Sequence, residues 1–390
     1  MKNSKPVSSA LCFFGLSVLG SAIYLLCFSN SVLARDGFSV GVKETAVFDT
    51  NPLMRSDDIP QDIIRGLEST ALVQYKRESS SRIFATSASI RRNQFNVSGY
   101  NTTDFFLDLN FRKEAARWVL GLNGSLKYDT PRSSNENAFG LTRLSDRRLN
   151  FSVSPSFVYK VSHRTSLGIN TLWSETSYND GSSLADHRTQ MVSPFFSYNI
   201  DYRNTWSVAF QYQQYKALDG IGLTSDSVGP FLTWAHNFTP NTMIEASFGV
   251  LGSRYSGNVQ QGNWKLNPIY SFNIEHSDQR NTAIFSVGRA RQALTNGTET
   301  DITTAQISDK FLIAPKWLLN VKTDYKKARQ SSFSSDDLDN SYSAYIDTEY
   351  DISRDLKFSM SYKYTQENYT TNKDQASRNV IRASFDYKLK

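Results

Sequence analysis

From Trp118 onward the chain alternates. Trp118, Leu120, Leu122, Gly124, Leu126 and Tyr128 occupy one set of positions; Val119, Gly121, Asn123, Ser125, Lys127 and Asp129 occupy the other. The beat returns near the C-terminus, where Leu356, Phe358, Met360, Tyr362 and Tyr364 alternate with Lys357, Ser359, Ser361, Lys363 and Thr365. A period of two puts alternate side chains on opposite faces of a strand, so one face meets an apolar surrounding and the other meets water. The pattern is sustained over about 18 runs, many about twelve residues long, whereas strands of a soluble β-sandwich are typically about 5 to 6 residues.

The connections between runs take turns in length. Short ones include "SSS" at 79–81, "SHR" at 162–164, "YRN" at 202–204, "TPN" at 239–241, "DQRN" at 278–281 and "SRD" at 353–355. Longer polar ones include "DTNPLMRSDDIPQ" at 49–61, "PRSSNENAFGLTRLSD" at 131–146, "NDGSSLAD" at 179–186, "TNGTETD" at 295–301 and "SSFSSDDLD" at 331–339. Tight turns at one end, longer loops at the other, and Tyr or Trp near run ends predict an all-β fold. It is a transmembrane antiparallel up-and-down β-barrel of about 18 strands, 16 to 18 being compatible, with short periplasmic turns and longer extracellular loops.

A second, slower repeat runs through the strands that lead down to short turns. "SPSFVYKV" from Ser154, "SPFFSYNI" from Ser193, "GPFLTWAH" from Gly229 and "NPIYSFNI" from Asn267 recur at intervals of about 38 residues, one hairpin apart. Each proline falls on the apolar, outward set. Proline removes a ladder hydrogen bond, so Pro155, Pro194, Pro230 and Pro268 are expected to mark local bulges and to discourage aggregation of apolar strands before assembly. A proline-free copy, "RASFDYKL", begins at Arg382.

The N-terminus reads differently. Lys2 and Lys5 precede an apolar run from Leu11 to Phe28, closed by "SVLA", the pattern of a cleaved secretory signal over residues 1–34, with 35–390 as the barrel. Cys12 and Cys27, the two cysteines of the chain, lie in that segment, so the mature part has no disulfide framework and no cysteine ligand or nucleophile. Mean hydropathy of −0.44 and the lack of a second long apolar run argue against transmembrane helices. The net charge of +6, reduced to +4 once Lys2 and Lys5 are removed, is small and evenly spread, which argues against nucleic-acid binding.

A barrel of this size leaves an aqueous lumen. The wet set of positions predicts Lys127, Lys160, Lys265, Lys322, Lys363 and Arg382 as lumen-lining, with Asp108, Glu175, Glu245, Glu275, Asp324, Glu349 and Tyr345. These charges either hold the wall through cross-strand pairs or, as lysines beside tyrosines, form a path along which a glycan slides. Catalysis is not expected. His163, His236 and His276 fall at short turns, and His187 beside Asp186 on the other side has no convincing serine or second carboxylate. Asp57, Asp58, Asp336 and Asp337 belong to solvated loops, and neither a cofactor nor a metal site is expected.

The last strand is similar to the terminal strand by which outer-membrane barrels are read during assembly. Arg382, Phe385, Tyr387 and Leu389 fit that signal, while Ser384 stands where glycine is usual and Lys390 follows the final apolar residue. With "FDTNPL" at 48–53 and the Pro-x-aromatic strands, the chain resembles the outer-membrane β-barrel porins of exopolysaccharide gene clusters, the EpsL and VpsM type. The resemblance implies insertion in the bacterial outer membrane beside lipid and lipopolysaccharide, help from the barrel-assembly machinery, and export of a polysaccharide with a periplasmic export protein. A passive porin for small solutes is the alternative expectation, and a structural or adhesion barrel the second.

Overall fold

The structure is a computed structural model that describes residues 35–54, 57, 62–130, 146–179, 184–218, 223–256, 263–293, 299–328, 338–369 and 375–389. The expected signal segment, Asp58, Asp336, Asp337 and most of the 131–146 loop lie outside the described residues. Eighteen strands follow one another: β1 (Arg35–Asp49), β2 (Ile64–Ser79), β3 (Arg82–Phe95), β4 (Thr102–Glu114), β5 (Trp118–Asp129), β6 (Arg148–Lys160), β7 (Thr165–Tyr178), β8 (His187–Asn199), β9 (Asn204–Ala217), β10 (Thr224–Thr239), β11 (Thr242–Ser256), β12 (Lys265–Ser277), β13 (Asn281–Ala293), β14 (Glu299–Ala314), β15 (Trp317–Ala328), β16 (Leu338–Asp351), β17 (Leu356–Tyr369) and β18 (Gln375–Leu389). Each pairs with its neighbours in sequence, and β1 closes on β18 from Val40 opposite Leu389 to Asp49 opposite Val380. The fold is a closed, antiparallel, 18-stranded β-barrel.

The alternation sorts the two faces as the sequence predicts. Leu67, Val73, Ile90, Phe196, Val208, Phe248 and Ile307 stand exposed on the outside, where acyl chains replace water as their surrounding. Aromatic rings flank this belt at both levels. Phe151 and Trp173 (6.3 Å between centroids) and Tyr325 and Tyr342 (4.9 Å) lie toward the long-loop end. Trp206 and Trp234 (6.4 Å), Trp317 and Tyr350 (6.1 Å), and Phe358 and Phe385 (5.2 Å) lie toward the short-turn end. Such girdles sit at the two membrane–water interfaces.

The short turns share one device. Asp201 Oδ1 accepts the backbone N–H groups of Arg203 and Asn204 at 2.7 Å each, and Asp278 Oδ1 accepts those of Arg280 and Asn281 at the same distance. Ser162 does this for Arg164 and Thr165, and Ser353 for Asp355 and Leu356, through their hydroxyls. A short polar side chain two residues ahead thus satisfies donors that the reversing backbone leaves unpaired.

The four prolines face outward as expected, Pro155 beside Leu122, Pro194 beside Ile169, Pro230 beside Phe210 and Pro268 beside Val250. They do not mark bulges. In β6–β7 the ladder stops at Val153 opposite Trp173 and resumes at Ser156 opposite Asn170 in the same register. The gaps in β8–β9 and β10–β11 also close without a shift. The missing N–H removes pairing toward the following strand, but no residue is inserted, so the strand keeps its phase. At Pro268 the outcome differs: β12 and β13 pair only as far as Tyr270 opposite Arg289, and the ladder does not resume above it.

Candidate functional site: a two-walled lumen

The register places Lys127, Lys160, Lys265, Lys322, Lys363, Arg382, Asp108, Glu245, Glu275, Asp324, Tyr345 and Glu349 on inward rows. Glu175 is a correction. It lies opposite Phe151 and Arg188, on the row of the exposed Trp173, and therefore faces outward. It is tolerated there because Arg188 Nη2 sits 2.7 Å from its carboxylate and the Arg188 guanidinium covers the Trp173 ring, close to the interface where water is near.

From β15 through β18 and on to β4, every inward row carries charge. The row Lys322, Tyr345 and Lys363 crosses three adjacent strands, so a lysine stands on either side of Tyr345 in the register. Several neighbours are paired: Lys357 with Glu349 at 2.9 Å, Arg91 with Asp104 at 3.0 Å, Arg378 with Asp49 at 2.9 Å and Arg382 with Glu68 at 4.0 Å. Lys322 makes no ion pair among the described residues. This wall both ties its strands together and presents a field to the lumen.

The wall from β7 to β10 is built otherwise. Its inward positions hold no Asp, Glu, Lys or Arg; they are Ser, Thr, Asn, Gln, Gly and Ala with Leu172, Tyr178, His187, Met191, Phe195, Phe231 and Tyr215 among them. Hydroxyls bridge the strands, Ser207 to Ser197 at 3.0 Å and Thr233 to Ser247 of β11 at 2.8 Å. Phe195 lies opposite Gly168, and Phe231 opposite Gly249. A Cβ on Gly168 would meet the Phe195 ring at 2.4 Å, and one on Gly249 the Phe231 ring at 2.6 Å. The two rings lie flat on the wall because those positions carry no side chain.

The two walls are bridged at the long-loop mouth by the tops of β13 and β14. Glu299 Oε1 of β14 accepts from Gln213 Nε2 of β9 at 3.1 Å, and the Glu299 carbonyl accepts from the Tyr255 hydroxyl of β11 at 3.1 Å. Arg291 donates to the same Tyr255 oxygen and lies 3.4 Å from the Glu299 carboxylate. β9 and β14 are five strands apart, so Gln213 and Glu299 can meet only across the lumen. Having left β12 above Pro268, the hairpin bends inward. Its other face sets Ile302 against Met54, Tyr369 and Ala376, all buried. Met54 follows the "FDTNPL" segment, which is folded back on β18: Thr50 N–H donates to the Asn379 carbonyl at 3.1 Å and the Asn51 amide to that of Ser377 at 3.0 Å. Met54 itself adopts a left-handed φ of 47°.

Sequence reasoning did not find this bridge and counted Glu299–Asp301 in a loop. The signal was present: Arg289, Arg291, Glu299 and Asp301 occupy positions that strict alternation sends to lipid, where a cluster of charges is costly. They are instead folded inward, with Arg289 and Asp301 paired at 3.1 Å.

Asp186 and His187 serve local structure. Asp186 accepts the Tyr178 N–H at 2.6 Å, and His187 Nδ1 meets the Ala185 carbonyl at 3.0 Å. On the last strand Phe385, Tyr387 and Leu389 are exposed on the outside, while Arg382 and Ser384 face in, Ser384 bonding Ser359 at 2.9 Å.

The chain matches no family model and no curated protein. Among solved structures it is similar to OpdQ of Pseudomonas aeruginosa (11% identity, 91% of this chain and 97% of that one, TM-score 0.48) and OccAB3 of Acinetobacter baumannii (10%, 90% and 99%, 0.49). It is similar also to OpdK of Pseudomonas aeruginosa with vanillate (8%, 90% and 99%, 0.47). At such identity and superposition these likenesses carry no argument about substrate or mechanism. The closed strand order, the outward apolar belt between aromatic girdles and the polar interior define the molecule: it is a bacterial outer-membrane β-barrel with a channel-like lumen.

Proposed function

We propose that this chain is a passive channel for small polar solutes. The observation that carries the reading is the bridged mouth. The β13–β14 hairpin, fastened to both walls, stands across the lumen, and the wall forms open recesses of about 600 and 540 Å3, on the scale of single small molecules. A polymer in transit requires one broad, continuous passage, and export of an exopolysaccharide with a periplasmic partner is therefore not the reading adopted. The inward charges and the uncharged wall supply a path of weak contacts for solutes moving down a gradient. Within the same reading, the outward row Phe385, Tyr387 and Leu389, with Arg382 and Ser384 behind it, serves as the segment read by the barrel-assembly machinery.

Proteoliposomes test the proposal. Monosaccharides should swell them fast, and trisaccharides much more slowly. An absence of swelling with any solute would overturn it, as would loss of extracellular polysaccharide in a clean deletion strain.

A further inference from the structure

A recess of about 600 Å3 lies between the wall of β9–β12 and the inward-folded β13–β14 hairpin. Its lining combines an aromatic face with groups that both donate and accept hydrogen bonds. Phe231 lies over Gly249, where a Cβ would come within 2.6 Å of Phe231 Cδ1 and 2.7 Å of the Pro230 carbonyl, so the bare glycine sets the ring's tilt. Gln211 and Asn273 bring side-chain amides, and Glu245 a carboxylate that makes no ion pair among the described residues. Arg289 and Arg291 border the same space, each beside a carboxylate, Asp301 at 3.1 Å and Glu299 at 3.4 Å.

From this constellation we infer that the recess is a binding site for a neutral, hydroxylated ring solute, a mono- or disaccharide. The inference rests on the channel reading and names its substrate class. A pyranose has an apolar C–H face that stacks on an aromatic ring and an equator of hydroxyls that both donate and accept. Amides match such hydroxyls in both senses, and a carboxylate accepts from two neighbouring ones. An anionic solute would meet Glu245 while Arg289 and Arg291 each already face a carboxylate, and a purely apolar one would strip water from Gln211, Asn273 and Glu245 without replacing its hydrogen bonds. A neutral solute can leave again, because none of its contacts in the site is a full ion pair.

Sugar titration of the ion current through single channels in planar bilayers is the test, with glucose and maltose as probes. Both should interrupt the current of the native protein in a saturable manner. Phe231→Ala should raise the half-blocking concentration about tenfold, the worth of one lost ring contact, while Phe231→Trp should retain the block. Gly249→Ala touches no sugar atom yet should weaken the block as well, because its new methyl displaces the ring. Phe210→Ala, on the outer face beside Pro230, should leave the titration as it is. A native current indifferent to both sugars, or a Phe231→Ala channel blocked as readily as the native one, would overturn the site while leaving the channel reading intact. A protein that passes no current would overturn the channel reading, and the site with it.

Discussion

The β7–β10 wall and the β15–β4 wall share strand length, alternation and an apolar outer face, yet they treat the lumen differently. One presents hydroxyls, amides and two flattened phenylalanines. The other presents ammonium, guanidinium and carboxylate groups, many paired across strands. The period of two requires only that inward residues tolerate water, so the choice between neutral and charged groups is free of the fold. That choice sets how the lumen treats ions, since unpaired charges over a narrow aqueous gap focus a field that neutral dipoles do not. On the proposed channel reading, ion discrimination belongs to the charged wall and weak contacts with uncharged solutes to the neutral one.

Unfastening the bridge between the walls should have the largest effect. Glu299→Ala leaves Arg291 buried without its carboxylate, a cost of about 3 to 5 kcal/mol, so the hairpin should release from the uncharged wall and single-channel conductance should rise severalfold. Ile302→Ala acts on the other side, where loss of a buried aliphatic group costs about 2 to 5 kcal/mol and should raise conductance in the same direction. Conductance unchanged in both variants would mean that the hairpin does not obstruct the passage.

Charge reversal comes next. Lys322→Glu with Lys363→Glu places carboxylates on both sides of Tyr345 and should shift reversal potentials clearly toward cation preference, whereas Thr189→Asn on the neutral wall should leave them unmoved. Equal responses would erase the distinction between the walls. Glu175→Gln should fall with the neutral wall despite removing a charge, because its side chain faces outward with Arg188.

The smallest expected effect is at the short turns. Asp201 is held below the usual carboxylate range by the Asn204 side-chain amide and the Arg203 N–H, and Asp278 by the N–H groups of Arg280 and Asn281. A depressed folded pKa lends stability that is complete above the unfolded value and fades as pH falls through the folded one. Both carboxylates are fully exposed, so the effect is slight. Asp201→Ser with Asp278→Ser, the residue that caps the turns at 162 and 353, should flatten the acid side of the melting temperature against pH. An identical acid limb would assign that limb to other groups.

Much of this barrel was legible as a rhythm. Alternation from Trp118 to Asp129 and from Leu356 to Thr365 located both faces, and the turn residues located the short ends, because each follows from one strand or one turn. Glu175 and the hairpin were not legible in that way. Glu175 breaks the alternation on account of Arg188, a residue of the next strand. Arg291 and Glu299 keep the alternation but leave the cylinder, and their partners Gln213 and Tyr255 come from strands far along the chain. The prolines fall between these cases: their outward placement was readable, but the way the ladder closes again after three of them and opens at Pro268 depends on the neighbouring strand.

Thiol modification tests the division of the lumen most directly, since residues 35–390 contain no cysteine. Tyr345→Cys, between Lys322 and Lys363, and Ser193→Cys, on the inward face of β8, are treated in the inserted barrel with small anionic and cationic thiol reagents. The account predicts that the cysteine at 345 reacts markedly faster with the anionic reagent and the cysteine at 193 shows no preference. The same ratio of rates at both positions would contradict it.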